Sequence, residues 1–115
     1  MFFEAANASR DALNAIGLKF NPFKAIVAPR PIGWVTTLNR NGMVNLAPFS
    51  FFNAVSSDPP MVVYGANGTH EADEGEKDSL RNVRETGEFV CNLATWELRN
   101  QMNLTSTPAP PGTDE

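Results

Sequence analysis

The chain has 115 residues, a hydrophobic fraction of 42%, a charged fraction of 19% and a formal net charge of −4. This composition is typical of one folded globular domain and argues against a disordered chain. Because the net charge is negative and no Lys/Arg-rich stretch occurs, neither a nucleic acid nor an anionic membrane is expected as a partner.

The first part of the chain combines a helix signal with a proline-rich stretch. Residues 9–17 are predicted to form a short helix, with Ser9 as its cap and Gly17 as its stop. The following stretch, "FNPFKAIVAPRPIGW", contains three prolines. Because proline disfavours helix interiors, this stretch is predicted to be extended.

A β-hairpin is predicted next. Residues 32–38 are rich in β-branched and aromatic side chains, which favours a strand. Asn41-Gly42 predicts a tight turn because both residues tolerate positive φ. Residues 43–47 then return as the second strand, and Pro48 is predicted to end or bend it because proline cannot donate to the ladder.

Three further strands are predicted. Residues 50–56 and 61–66 are apolar and β-prone, and the turn sequence "SSDPP" separates them. Residues 88–94 form the last strand, with Phe89, Cys91 and Leu93 on one face.

Two short helices and a polar loop complete the pattern. The loop covers residues 67–78, and a helix with Asp78 or Ser79 as its cap then runs to Gly87. The second helix covers residues 95–104 with Thr95 as its cap. Strands joined by turns favour an antiparallel sheet or barrel, and no glycine-rich loop of the Rossmann or Walker type occurs.

Conventional catalytic groups are sparse. His70 is the only histidine, and its acidic neighbours Glu71, Asp73, Glu74 and Glu76 lack a recognised ligand spacing, so a solvated loop is preferred to a metal site. Cys91 is the only cysteine, which excludes an intramolecular disulfide. Its apolar strand pattern predicts buried packing rather than nucleophilic catalysis.

No targeting or membrane signal is visible in the sequence. The N-terminal "MFFEAANASR" lacks the basic and apolar regions of a secretory signal. No apolar run approaches the ~20 residues that cross a bilayer. The expected location is the cytoplasm.

Lys77, Ser79 and Asn82 have the chemistry of a small anion site. Lys77 is a cation beside a predicted helix start, where free N–H groups and the helix dipole attract anions. Ser79 adds a hydroxyl, and Asn82 lies one turn further on. These residues are compatible with a monophosphate site, and equally with a capped surface helix.

The hairpin offers a second candidate site. Thr36 and Thr37 lie on its first strand, and the segment 45–56, which includes "NLAPFSFFN", follows its turn. An apolar wall with a few donors and acceptors suits a flat heteroaromatic ligand. Ordinary strand packing is the alternative interpretation.

An ordered set of motifs resembles a known family. The motifs are "RPIGWVTT" at 30–37, "NLAPFSFFN" at 45–53, "SSDPP" at 56–60, "KDS" with Asn82, "TGEFVCNLA" and "MNLTS" at 102–106. Together they resemble a flavin reductase-like protein of the FMN-binding split-barrel family, from about Asn21 to the last residue.

The resemblance implies a mainly β fold with short helices, an antiparallel Greek-key split β-barrel that binds FMN. It implies a single domain over 1–115, in which 1–20 are an extension, 21–104 form barrel strands and two short helices, and 105–115 form a proline-rich tail. Members of the family are longer, so the chain is expected to be an N-terminal portion with an incomplete barrel. A homodimer with FMN near the subunit interface is also implied.

The resemblance assigns the cofactor to named positions. The isoalloxazine ring is expected to contact Thr36, Thr37, Ala47, Pro48, Phe49, Ser50, Phe51 and Ser56. The phosphate is expected at Lys77, Ser79 and Asn82. No protein residue is expected to be catalytic, because the flavin carries the chemistry.

The implied activity is an NAD(P)H:flavin reductase that transfers a hydride from NADH or NADPH to flavin and can supply a monooxygenase. Two alternatives remain open at this point. One is a non-catalytic FMN-binding electron carrier or sensor module, and the other is a cofactor-free assembly fragment.

Overall fold

The computed structural model describes residues 9–68, 75–107, 109 and 113. The chain forms two compact units, Met1–Arg30 and Pro31–Glu115. The described residues contain five strands and four short helices, and every strand pair is antiparallel. The predicted mainly β, antiparallel class is therefore confirmed.

The first unit begins with the predicted helix. Helix α1 (Arg10–Ala15) starts after Ser9, whose Oγ accepts a hydrogen bond from the Ala12 N–H at 3.2 Å. Gly17 follows with φ 77°, a left-handed conformation that glycine adopts without a Cβ penalty. Both ends of this helix agree with the prediction.

A one-turn helix, α2 (Phe23–Ile26), follows where the prolines predicted an extended chain. Pro22 stands immediately before the first helical residue, where its missing N–H breaks no helical hydrogen bond. The Arg30 guanidinium donates to the carbonyl oxygens of Lys24 and Val27 at the end of this turn. The prediction of a wholly extended segment was wrong for this turn.

The second unit is built on the predicted hairpin. Strand β1 (Gly33–Leu38) pairs with β2 (Val44–Phe49) from Gly33 opposite Phe49 to Leu38 opposite Val44. In the turn, the Gly42 N–H donates to the Asn39 carbonyl at 3.0 Å, and Gly42 has φ 79°. The turn centre thus lies one residue earlier than predicted, and Gly42 supplies the left-handed residue that leads into β2.

Pro48 does not end its strand. It pairs with Trp34, and β2 continues to Phe49 before the chain bends at Ser50 and Phe51. The sheet order is β2-β1-β5, so β2 is an edge strand, where proline is tolerated because one side of the backbone makes no ladder bonds. The predicted bend therefore occurs two residues later.

The other three strands lie close to their predicted positions. Strand β3 (Phe52–Ser57) pairs with β4 (Pro60–Tyr64) in a separate two-stranded sheet, with a register shift between Ala54 and Ser56. Strand β5 (Val90–Asn92) is shorter than predicted and pairs with β1. Across the described residues these two sheets do not close into a barrel.

Both later helices begin without the predicted caps. Helix α3 (Asp78–Thr86) has Lys77 at its N-cap position, and α4 (Arg99–Leu104) has Leu98, with no side-chain cap bond in either case. The predicted caps Asp78, Ser79 and Thr95 were wrong, because the first two lie inside α3 and the third precedes a turn that leads into α4. Gly87 does end α3, with φ 79°.

Helix α3 docks on one face of the hairpin through buried polar side chains. Thr37 and Asn45 lie opposite each other in the β1–β2 register, so both side chains project from the same face. The Asn82 amide Nδ2 donates to Thr37 Oγ1 at 3.1 Å, and the Asn45 amide Nδ2 donates to Ser79 Oγ at 2.9 Å. We refer to Thr37, Asn45, Ser79 and Asn82 as the polar clamp.

The opposite face of the hairpin has its own contacts. Trp34 is buried there, and its indole Nε1 donates to Thr105 Oγ1 at 3.0 Å, just after α4. The Asn92 Nδ2 on β5 donates to Thr36 Oγ1 at 2.7 Å and to the Trp34 carbonyl at 3.1 Å. Strand β1 therefore contacts α3 on one face and, through Trp34, the residue that follows α4 on the other.

Cys91 is exposed, which corrects the expectation that it packs in the core. Its strand, β5, is the outer strand of the three-stranded sheet. Leu93 and Val90 on the same segment are exposed as well. The apolar pattern of this strand indicated the strand itself and not its burial.

Within the described parts of the chain, no helix combines the length and apolar character needed to cross a membrane.

We expect the Gly33→Ala substitution to destabilise the second unit. A Cβ at Gly33 would lie 2.5 Å from Cδ2 of the Phe52 ring. Overpacking of this kind typically costs about 1–3 kcal/mol in the free energy of unfolding. Denaturant unfolding measures the change, and Gly33→Ala in a Phe52→Ala background is the control. An equal cost in both backgrounds would mean that the Phe52 ring is not the obstacle.

We also expect Thr37→Val to destabilise the chain more than Thr36→Val. The Thr37 substitution removes the acceptor of a buried Asn82 amide, at a typical cost of about 1–3 kcal/mol in unfolding free energy. Asn92 retains the Trp34 carbonyl when Thr36 loses its hydroxyl. Thr37→Ser, which keeps the hydroxyl, should restore most of the stability. Equal melting temperatures for the two valine variants would contradict this account.

Candidate functional site

The candidate site lies where α3 begins against the β1–β2 hairpin. The polar clamp holds this end of the helix, since Ser79 and Asn82 are three residues apart and project from one helix face. Ser79 and Asn82 are each 3% exposed, and Thr37 is 1% exposed. The helix start is packed and has no side-chain cap, so the predicted cap is absent, and the monophosphate site stays a prediction.

The first turn of α3 presents hydrogen-bond donors. Its first N–H groups have no intrahelical acceptor, and no side chain caps them. The Lys77 carbonyl accepts from the N–H groups of Leu80 and Arg81, which closes the turn behind them. A helix start in this state favours negative charge, because the N–H dipoles point outwards.

The charges around the helix start also favour an anion. Asp78 pairs with Arg81, and Glu76 pairs with Arg84, so both carboxylates are compensated. The Lys77 ammonium makes no ion pair with the residues that the structure describes. A net cation therefore remains beside the free N–H groups.

The Ser79 hydroxyl retains a proton to donate. Its oxygen accepts from Asn45, and a hydroxyl has one donor hydrogen in addition to its two lone pairs. The start of α3 thus offers hydrogen-bond donors from Lys77, Ser79 and the backbone N–H groups. This set of donors fits a phosphate, because phosphate oxygens accept hydrogen bonds and can be held in this way without a metal ion. Asn45 was not among the predicted site residues. Its sequence signal was a polar side chain within an apolar strand, opposite Thr37.

Asn82 has unused hydrogen-bonding capacity. Its Oδ1 is buried, and no partner for it occurs among the described residues. Most buried polar side-chain atoms in proteins are paired, with protein groups or with ordered water. The polar clamp therefore leaves one buried hydrogen-bond acceptor, Asn82 Oδ1, unsatisfied among the described residues.

Seven of the eight residues predicted to contact a flavin ring fall into three groups. Thr37, Ala47 and Phe49 project from the face that α3 covers, and Thr36 and Pro48 project from the opposite face. Ser50 and Phe51 form the bend after β2. Because side chains alternate, one flat ring cannot contact all of these side chains from one face. Of this set, Ala47, Pro48 and Phe49 lie on the β2 edge strand.

Ser56 lies apart from that edge, in the β3–β4 sheet. Its hydroxyl accepts from the Asp58 N–H and donates to the Asp58 carbonyl, each at 3.2 Å. The hydroxyl is therefore engaged in the local turn before β4. The roles predicted for Ser56 and for the other ring contacts stay predictions.

An aromatic row joins the two sheets. The rings of Phe49 and Phe89 each lie 5.0 Å, centroid to centroid, from the ring of Tyr64. Burial, followed by the nearby Cys91, raises the pKa of the Tyr64 phenol. Although Cys91 is exposed as a residue, partial desolvation of its thiol raises the pKa of that group, opposite to the shift that activates a nucleophilic cysteine.

The described residues contain no group of three or more His, Cys, Asp or Glu side chains placed to hold a metal ion. His70 and its neighbours 71–74 lie outside the described residues. The prediction for that loop is therefore not addressed by the structure.

Two proteins of known structure are among those that resemble this chain. Nitrilotriacetate monooxygenase component B from Bacillus cereus superposes with a TM-score of 0.71 at 26% identity, over 96% of this chain and 50% of that one. The Pseudomonas fluorescens 2-nitrobenzoate 2-nitroreductase NbaA superposes with a TM-score of 0.67 at 28% identity, over 93% and 47%.

Sequence comparison also matches this chain to less than half of the length of longer proteins. An uncharacterised protein of Aquifex aeolicus is 41% identical over 90 residues, which are 78% of this chain and 45% of that protein. YwrF of Bacillus subtilis is 46% identical over 90 residues, 77% and 42% respectively. The chain thus spans about half the length of the curated relatives it matches. The family model described as the flavin reductase like domain matches residues 27–115, and the chain belongs to that family.

Proposed function

We propose that the chain forms part of an FMN-binding oxidoreductase that transfers a hydride from NADH or NADPH to flavin. The observation that carries this proposal is the start of α3, where Lys77 stands at the N-cap position, no side chain caps the first N–H groups, and the Ser79 hydroxyl is hydrogen-bonded to Asn45 of the hairpin. Membership of the flavin reductase-like family supplies the cofactor class.

The start of α3 favours FMN over a flavin without a terminal phosphate. A phosphate monoester bears up to two negative charges and accepts several hydrogen bonds, and the start of α3 offers uncapped N–H groups, the Ser79 hydroxyl and the Lys77 cation. Helix N-termini bind such groups in many proteins because the N–H groups point at the ligand. Lys77 and Ser79 would hold the phosphate, with Asn82 behind them.

The β2 edge and the bend after it would hold the ring. The β2 edge strand carries Pro48, which contributes a C=O but no N–H to its row of backbone groups. Phe49 and the aromatic row provide apolar packing behind the strand. When bound, a flavin supplies hydride acceptance and electron transfer, so the chain needs no acid–base dyad of its own.

Similar proteins support a role in a two-component system. One structural neighbour is a monooxygenase component B, and we propose that the present protein supplies reduced flavin to an oxygenase. The second neighbour, a nitroreductase, favours direct reduction of a nitroaromatic compound as the alternative activity. A homodimer is proposed as well, supported by the exposed apolar side chains of Val55, Met61 and Val63 on β3–β4. A solution mass of one chain would contradict the dimer.

Purified protein should bind FMN and oxidise NADH or NADPH when FMN is added. Flavin absorption of the gel-filtered protein tests binding, and the loss of nicotinamide absorption tests turnover. Binding of FMN without turnover would favour the alternative function of an electron carrier or sensor module. No binding of FMN would overturn both flavin functions and favour an assembly role.

Lys77→Ala should weaken FMN binding by about 1–3 kcal/mol, because a charge-assisted contact to the phosphate is lost. Riboflavin, which lacks the phosphate, should bind both proteins equally. Lys24→Ala, at an exposed lysine of α2, is the matched control for charge. Fluorescence titration measures both affinities. An unchanged FMN affinity in Lys77→Ala would mean that the phosphate does not bind at the start of α3.

A further inference from the structure

We propose that Trp96 and Arg99 form a binding site for the adenine nucleotide part of the nicotinamide co-substrate. This site rests on the proposed function, in which NADH or NADPH gives a hydride to flavin, and adds the place where the other end of that dinucleotide binds. Neither residue belongs to the polar clamp or to the positions predicted to contact the flavin.

The two tryptophans of the chain have opposite environments. Trp34 is 7% exposed and its indole Nε1 donates to Thr105 Oγ1, so this side chain serves the packing of α4 against the hairpin. Trp96, in the turn before α4, is 75% exposed. Tryptophan is highly buried on average in folded proteins, because its large ring contributes strongly to core packing. Trp96 therefore presents an aromatic surface that the packing of the described residues does not use.

Arg99 holds this ring in a defined arrangement. The guanidinium carbon Cζ lies 4.4 Å from the centroid of the Trp96 ring, within the range of a cation–π contact. The guanidinium Nη1 also donates to the Trp96 carbonyl at 2.6 Å. Arg99 thus covers one face of the ring, and the exposure of Trp96 leaves the other face open to solvent. The pair is a flat aromatic surface with a cation behind it.

The charge of Arg99 is not compensated by an ion pair within the described residues. The carboxylate closest to it in sequence is that of Glu97. Hydrogen bonds from the Glu97 backbone and from the Thr95 side chain lower the pKa of this carboxyl, so the carboxylate is engaged in the turn before α4. Arg99 therefore retains N–H groups that can donate to an anion.

An exposed aromatic face beside an available cation fits a nucleotide. Bases stack on aromatic side chains, and arginine binds phosphate oxygens through its planar set of N–H groups. A phosphate alone would not require the exposed ring, and an apolar ligand would not require the cation. An adenine nucleotide offers both a flat base and phosphates, and the proposed co-substrate contains one.

The Trp96–Arg99 pair lies apart from the proposed phosphate site of the flavin. Helix α4 contacts β2, and Thr105 at its end binds Trp34, whose side chain projects from the hairpin face opposite to α3. Lys77 and Ser79 lie at the start of α3, on the other face. A nucleotide bound by the pair would therefore not compete with the flavin phosphate, and it would lie beside the strand that is proposed to hold the flavin ring.

Steady-state kinetics with two hydride donors tests this assignment. Trp96→Ala and Arg99→Ala should each raise the KM for the dinucleotide that the chain oxidises about tenfold and leave kcat within about twofold, because a contact remote from the hydride is lost. Reduced nicotinamide mononucleotide carries the hydride but lacks the adenine nucleotide, so its KM should be the same for all three proteins. Phe20→Ala and Arg40→Ala, at another exposed aromatic residue and another exposed arginine, are the matched controls.

A binding measurement that needs no turnover separates a ligand site from a structural role. Adenosine diphosphate should quench the fluorescence of Trp96 in a saturable manner, because the base stacks on the ring, whereas Trp34 is buried. The quenching should be lost in Trp96→Phe and should need about tenfold more nucleotide in Arg99→Ala. Ribose phosphate, which lacks the base, should not quench. If the variants do not melt cooperatively, the titration of the unaltered chain decides by itself, and the absence of saturable quenching overturns the inference.

Failure of the inference is distinguishable from failure of the proposed function. Turnover by the unaltered chain, with Trp96→Ala and Arg99→Ala that keep its KM or that raise the KM for both donors equally, overturns the inference and leaves the function intact. The absence of FMN binding and of turnover in the unaltered chain overturns the function and the assignment of the co-substrate with it.

Discussion

Helix α3 is held on the β1–β2 hairpin by two buried hydrogen bonds, Asn82 to Thr37 and Asn45 to Ser79. Every other feature of the candidate site depends on this docking. It places the uncapped helix start beside the hairpin, and it buries the two strand side chains that would otherwise face water. A polar contact at this position gives a defined helix orientation, since two directed bonds on one face restrict rotation more than apolar packing does.

The segment "NLAPFSFFN" shows how one strand can serve packing and binding together. Its apolar side chains build the aromatic row through Phe49, its Asn45 holds the helix, and its edge position permits Pro48. In the described sheet β2 is paired with β1 alone, so Pro48 can stand there without breaking a ladder.

Local patterns predicted the elements well where the backbone itself demands a residue type. Gly17, Gly42 and Gly87 all take positive φ, and each marks a turn or helix end that the sequence indicated. Predictions failed where burial or pairing decided the outcome. Ser79 resembles a cap, but it lies inside α3 because the Asn45 contact holds it against the sheet, and Cys91 is exposed because β5 is an outer strand.

The sequence by itself determined the antiparallel β class, the hairpin, the family resemblance and most of the residues near the α3 start, because these depend on periodicity, turn chemistry and motif order. Only the tertiary structure decided which of those residues meet. Asn45 and Ser79 are 34 positions apart, and Thr37 and Asn82 are 45 apart. The direction of a hydrogen bond over such distances depends on how the helix docks on the sheet, and local sequence carries no signal for it.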